Sequence, residues 1–189
     1  MKKKGILKTI VLSGFSIFLS YMTFSLIDSL LKTRGYQFGT GESFLIAGMI
    51  NLYATGVLAM LGFIFPTHKV LPNNFYKIQN TGFLTSVYKT LGVSYFRFLL
   101  LLFFWGNKKN RKKYFDGTRS GLMNFIYQSK QSEFGHLAAF CSIFLISIVP
   151  LLKGFWAIFG FITLINFIGN FYPIILQRYH RIRIGKILD

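Results

Sequence analysis

Phe44 to Phe65 reads FLIAGMINLYATGVLAMLGFIF, without one charged side chain. A helix rises about 1.5 Å per residue, so roughly 20 apolar residues cross a hydrocarbon core of about 30 Å. Three further stretches have the same length and character: about Ile10 to Leu31, about Glu133 to Leu152, and about Gly154 to Leu176. A compact soluble core would not recur as separate long runs. The composition agrees: 52% of the 189 residues are hydrophobic and only 14% charged, where an ordinary soluble domain has about 25% charged residues. An aromatic share of 19%, with 23 Phe, excludes a disordered chain. The sequence therefore predicts an all-α integral membrane protein, a single membrane domain over residues 1–189 with about four transmembrane helices. A fifth apolar run, Val93 to Trp105, is short and contains Arg97. It reads as an interfacial or re-entrant helix within the basic segment 66–132.

The charges give the orientation. The 22 Lys+Arg outnumber the 5 Asp+Glu, for a net +17. Lys2, Lys3, Lys4 and Lys8 precede the first span. The segment between the second and third carries Lys69, Lys77, Lys89, Arg97, Lys108, Lys109, Arg111, Lys112, Lys113, Arg119 and Lys130. The tail 177–189 adds Arg178, Arg181, Arg183 and Lys186, while the two opposite connections hold only Lys32, Arg34 and Lys153. Under the positive-inside rule this sorting places both termini and the central segment in the cytoplasm of a multi-pass protein of the cell membrane. It also accounts for the positive charge without nucleic acid as a partner. The basic start followed by an apolar run is expected to be an uncleaved anchor, because the run exceeds a signal peptide's 7–15 residues and no A-x-A-like site follows. Cys141 is the single cysteine, which leaves no disulfide framework and no cysteine-based zinc site.

Polar residues inside the spans show which faces turn from lipid. Ser13, Ser16, Ser20 and Thr23 in the first span, and Gly48, Asn51, Thr55, Ala59 and Gly62 in the second, recur at helical spacing and read as packing faces. In the fourth span Thr163, Asn166, Asn170, Pro173 and Gln177 step along one face. Pro173 has no N–H to give to the Gly169 carbonyl, so a kink and a polar pocket beside Asn170 are expected. Amides that only join neighbouring helices are the other reading of this stripe. Glu133 and His136 open the third span at i and i+3, on one helical face. An acid beside an imidazole can fix its tautomer and raise its basicity, as a general base requires; the alternative is a satisfied interfacial ion pair. No second carboxylate or paired-histidine spacing supports a metal site with His68 and His180. Gln177-Arg178-Tyr179-His180-Arg181-Ile182-Arg183 ends the polar stripe with three guanidiniums and a phenol, groups suited to gripping phosphate.

Ser129-Lys-Gln-Ser-Glu-Phe-Gly-His136, an apolar helix, and Asn170-Phe-Tyr-Pro-Ile-Ile-Leu-Gln-Arg-Tyr-His-Arg-Ile-Arg183 together resemble the glycosyl-4,4′-diaponeurosporenoate acyltransferase family. These small bacterial membrane enzymes esterify the sugar of a glycosylated carotenoid with a fatty acid. The resemblance extends from about Lys130 to Ile184, with a fainter echo at Phe115-Asp116-Gly117. Two departures are an extra residue between Asn170 and Pro173, and His180 where Asn is common. The resemblance implies an acyltransferase in which His136 takes the proton of an acceptor hydroxyl while Glu133 fixes and charges the imidazole. It implies that Asn170, with Gln177 as the weaker candidate, donates to the acyl oxyanion, and that Arg178, Tyr179, Arg181 and Arg183 bind the donor's phosphates. No cofactor is expected; acyl-CoA or an acyl-carrier protein serves as donor, and the partners are membrane lipids and a lipophilic glycosylated acceptor. Two other readings stay open: an acyltransferase acting on a non-carotenoid lipid, and a non-catalytic membrane assembly or scaffold protein.

Overall fold

Apolar stretches of this length must satisfy every backbone N–H and C=O internally, and a helix does so within one segment. The computed structural model describes residues 3–103 and 118–188, with side chains from Gly5 onward. Its described residues are all-helical, with no strand. Trp105, the cluster from Lys108 to Lys113, and Phe115-Asp116-Gly117 lie outside them. The elements are α1 (Lys3–Lys32), α2 (Thr40–Ile64), a short 3₁₀ turn (Thr67–Val70), α3 (Asn73–Tyr76), α4 (Thr81–Thr90), α5 (Val93–Phe103), α6 (Arg119–Leu152), α7 (Trp156–Asn166), a π turn (Phe167–Phe171) and α8 (Tyr172–Leu188). Four helical segments are long and apolar enough to cross a membrane: Gly5–Lys32, Thr40–Ile64, Arg119–Leu152 and Trp156–Leu188. The short fifth run is α5. It meets α4 at a 65° bend around Gly92, whose φ of +76° suits a residue without Cβ.

The helices outrun the predicted spans. Apolar length measures hydrocarbon thickness, not helix length, and 119–132 contains no proline to stop α6. Glu133 therefore sits in the middle of a helix rather than at its start. Likewise α8 carries the arginine-rich tail as helix to Leu188. The irregularity expected from Pro173 takes the form of the π turn just before it, one wide turn that ends at Phe171. Such turns are rare and cluster at functional positions.

The chain forms two compact units. The first comprises Met1–Thr67 and Gly135–Phe171. Its core is Leu30 from α1, Ala47, Ile50 and Ala54 from α2, Ala139 and Ile143 from α6, and Ile158 and Ile162 from α7. The three alanines let the backbones approach closely, which packing in lipid requires. Asn51 Nδ2 donates to the Ala47 carbonyl of its own helix at 2.9 Å and to Ile162 O of α7 at 3.2 Å. Ser16 and Thr23 of the first-span stripe are buried, but Ser20 is exposed; its hydroxyl turns back onto Ser16 O. Leu19 and Leu30 complete the face that α1 buries.

The second unit comprises His68–Phe134 and Tyr172–Asp189. Its apolar interior includes Tyr88, Val93, Ile174, Ile175, Leu176, Ile182 and Ile184. Phe96 of α5 packs on Tyr172 of α8, with ring centroids 5.2 Å apart.

The turn from α6 to α7 is closed by a paired motif in which Phe155 N–H bonds Pro150 O at 2.8 Å and Gly154 N–H bonds Leu151 O at 3.1 Å. Gly154 takes φ +76° there. Gly154→Ala places a Cβ in the left-handed region at a cost of about 1 kcal/mol. The purified variant should unfold a few degrees below wild type in detergent, and an equal or higher midpoint would refute this role for Gly154.

Candidate functional site

In the first unit, α2, α6, α7 and the π turn bring four polar side chains together. Asn166 Nδ2 donates to the Phe140 carbonyl at 3.0 Å. Asn170 Nδ2 donates to Asn166 Oδ1 at 3.0 Å and to Thr55 Oγ1 at 3.1 Å. Asn170 Oδ1 faces His136 Nδ1 at 3.0 Å. Asn170 is only 1% exposed and Asn166 only 2%, so neither amide can exchange these partners for water without cost.

The row has a direction. An amide can be turned either way, but a backbone carbonyl only accepts. The Phe140 oxygen therefore fixes Asn166 with its nitrogen outward and its oxygen towards Asn170. That oxygen in turn claims the Asn170 nitrogen and leaves Asn170 Oδ1 to accept from His136. Neutral His136 must then carry its proton on Nδ1, and Nε2 keeps its lone pair. Such a nitrogen can take a proton from a hydroxyl.

In the second unit, Glu133 has no exposed surface. Arg178 Nε donates to its Oε1 at 2.6 Å, and Arg181 Nη2 donates to its Oε2. Arg181 Nη1 also reaches Ser129 Oγ at 3.1 Å. Arg178 Nη2 reaches the Phe75 carbonyl at 3.3 Å, and its guanidinium lies 4.9 Å from the centroid of the Phe75 ring. Positions 178 and 181 are one turn apart on α8, so both guanidiniums leave the same face.

This arrangement departs from the pairing expected on i, i+3 spacing. Both carboxylate oxygens go to arginines, and the His136 tautomer is set by Asn170. The physical reason is charge: a buried carboxylate needs a full opposite charge beside it, which a neutral imidazole does not supply. Two of the expected phosphate-binding groups, Arg178 and Arg181, are thereby largely engaged inside the protein. Arg183 is exposed and Tyr179 half-buried. Asn170, expected as an oxyanion donor, has both amide hydrogens engaged by Asn166 and Thr55. Gln177 Nε2 donates to Ser132 Oγ at 3.3 Å. His68 Nδ1 lies 3.2 Å from Gln131 Oε1, and the His180 ring packs against Phe125 at 5.5 Å. Spacing singled out neither Thr55 nor Asn166 for the site. Both already lay on the polar stripes of the second and fourth spans, which was the available signal.

The family model for glycosyl-4,4′-diaponeurosporenoate acyltransferase matches residues 72–189, more than half of the chain. The chain belongs to that family. Comparison with curated proteins and with solved structures finds no match.

Arg181→Met leaves Glu133 paired with Arg178 but takes the donor from its buried Oε2, and a buried polar group left unsatisfied costs about 1–3 kcal/mol. Arg181→Met should therefore lower the thermal midpoint by several degrees or more, whereas Arg183→Met should leave it in place. A stable Arg181→Met protein would overturn the structural role given to this residue.

Proposed function

We propose, from this family membership, that the protein is a membrane acyltransferase that esterifies a hydroxyl of a glycosylated carotenoid or related glycolipid with a fatty acyl group. The observation that carries the reading is the directed row from the Phe140 carbonyl through Asn166 and Asn170 to His136, which presents an unprotonated Nε2. A row of buried amides that served packing alone would have no need of an imidazole at its end.

In the proposed reaction His136 Nε2 takes the proton of the acceptor hydroxyl as its oxygen attacks the acyl carbonyl carbon of a thioester donor, acyl-CoA or an acyl-carrier protein. The carbonyl electron pair moves to oxygen and then returns, which breaks the carbon–sulfur bond. The departing sulfur leaves as thiolate and recovers the proton from Nε2, so the imidazole ends neutral. Asn170 holds the ring through Nδ1–H and stabilises the imidazolium that forms in between. Proton transfer of this kind contributes typically 10²–10⁴-fold. The four apolar helices suit a lipophilic acceptor and an ester product that stay in the bilayer. The charge distribution supports a protein of the cell membrane with both termini in the cytoplasm.

His136→Ala should lower ester formation by at least about 10²-fold while the protein still inserts. Mass spectrometry of lipids from cells expressing each form measures the product and, through its mass, identifies the acceptor. Undiminished ester would dispose of the mechanism. Asn170→Leu removes the orienting partner together with the bonds to Asn166 and Thr55, and should lower kcat by roughly 10–100-fold, as loss of the group that orients a metal-ligating imidazole does. An unchanged kcat would take Asn170 out of the scheme.

A further inference from the structure

Within the second unit a cleft of about 300 Å³ opens between α3, α4, α6 and α8, lined by Tyr76, Lys130, Arg181 and Lys186 among others. Two of its lining side chains carry buried polar atoms without a partner: Tyr76 Oη and Arg181 Nε. Both residues are more than nine-tenths buried, Tyr76 at 3% exposed and Arg181 at 8%. Unpartnered buried donors are uncommon in native proteins and call for an explanation. Arg181 Nε can only donate and the Tyr76 hydroxyl can donate, so an acceptor is the one kind of partner that satisfies both.

The surrounding charge says which acceptor. Arg178 and Arg181 share the one carboxylate of Glu133, so one positive charge remains after pairing. Glu133 is the only acid among the described residues of this unit. Lys130 Nζ stands 5.6 Å from the Tyr76 ring centroid, and the Arg181 guanidinium stands 5.9 Å from it. Lys186, exposed, adds a further cation to the same cleft. Burial, and then the nearby Glu133 carboxylate, raise the Tyr76 pKa above its ordinary value against the lowering pull of Arg181. The phenol thus keeps its proton and remains a donor. Ile126 and Ile182 give the cleft an apolar side, and its volume exceeds what a lone inorganic anion fills.

We propose that this cleft is a binding site for the phosphate group of an organic phosphate, held by Lys130, Lys186, the Tyr76 hydroxyl and Arg181 Nε, with its carbon-bearing part against the isoleucines. Two sources share that chemistry, the nucleotide end of a soluble acyl donor and the headgroup of an anionic phospholipid. The donor case rests on the acyl-transfer reading given above; the binding chemistry does not. The site also differs from a grip by Arg178 and Arg183, because its cations are mainly lysines, compact point charges on flexible stems.

The test uses the full chain in phosphatidylcholine nanodiscs, titrated calorimetrically with coenzyme A. A second arm incorporates phosphatidylglycerol and counts the molecules retained per protein by native mass spectrometry. Lys130→Met with Lys186→Met should weaken the ligand about tenfold or more, the loss of one or two charge-assisted hydrogen bonds. Tyr76→Phe, which keeps the ring and removes only the hydroxyl, should weaken it several-fold. Gly185 also lines the cleft, and a Cβ there would meet no atom within 4 Å; Gly185→Leu should block binding while the protein stays folded. Loss of coenzyme A binding in these variants supports the site with the donor as its source, and loss of phosphatidylglycerol alone supports it with the lipid. Affinities that ignore all three changes, or a wild type that binds neither ligand, overturn the proposal. His136→Ala should bind as wild type, so a failure of the transfer mechanism is read separately from a failure of this site.

Discussion

Glu133 has no contact with solvent, and a carboxylate taken out of water costs several kcal/mol unless opposite charge meets it there. The second unit is organised around that requirement. Arg178 and Arg181 leave α8 on one face, three residues apart, and reach the two oxygens from one side. Ser129, one turn before Glu133 on α6, takes another N–H of Arg181. Phe75 and Tyr76 of α3 lie against the two guanidiniums. A shift of α8 by a single residue would turn both arginines away and leave the carboxylate uncompensated. The ion pairs therefore fix the register of α6 against α8 more than they add to net stability, since buried pairs often give little against an apolar replacement.

The first unit solves a different problem with neutral groups. Amides are ambiguous, because each can present nitrogen or oxygen in either direction. A row of them has a defined polarity only if one end is anchored to a group that cannot reverse. The Phe140 carbonyl is such an anchor, and its effect passes through two buried asparagines to the imidazole. The π turn matters here because it contains Asn170: the amide that faces His136 leaves the wide turn itself, three residues before Pro173.

The four long helices were legible because hydrocarbon thickness sets a length that composition must meet, and the fifth run was legible as too short to cross alone. Their full extents were not, since polar residues continue a helix as readily as apolar ones. Of the candidate site residues, Glu133, His136, Asn170, Arg178 and Arg181 lie in buried or partly buried polar clusters, whereas Arg183 is exposed. Their partnerships were hidden for two reasons. Helical spacing supplies a local partner for Glu133 at His136, while the stronger charge comes from a segment 45 residues away. And the group that gives direction to the row ending at His136 is the Phe140 backbone carbonyl, which leaves no mark in sequence. Tyr76 went unnoticed because a single aromatic in a basic segment carries no periodic signal.

A run of arginines near a membrane reads at first as a surface for phosphates, and here the chemistry divides otherwise. Guanidinium is planar, permanently charged and weakly hydrated, so it tolerates removal from water better than ammonium does. Those properties suit it to phosphate, and equally to a buried carboxylate that must never lose its counter-charge. Where both demands arise in one unit, the buried acid has first claim, because its penalty is paid in every folded molecule whether or not ligand is present. Lys130 and Lys186, strongly hydrated ammoniums on flexible stems, stay within reach of water beside the cleft. Arg181 belongs to both groups: two of its nitrogens serve Glu133 and Ser129, and Nε stays without a partner beside the cleft. One residue thus links the internal charge pair to the cations around the cleft, so a change in either will be felt by the other.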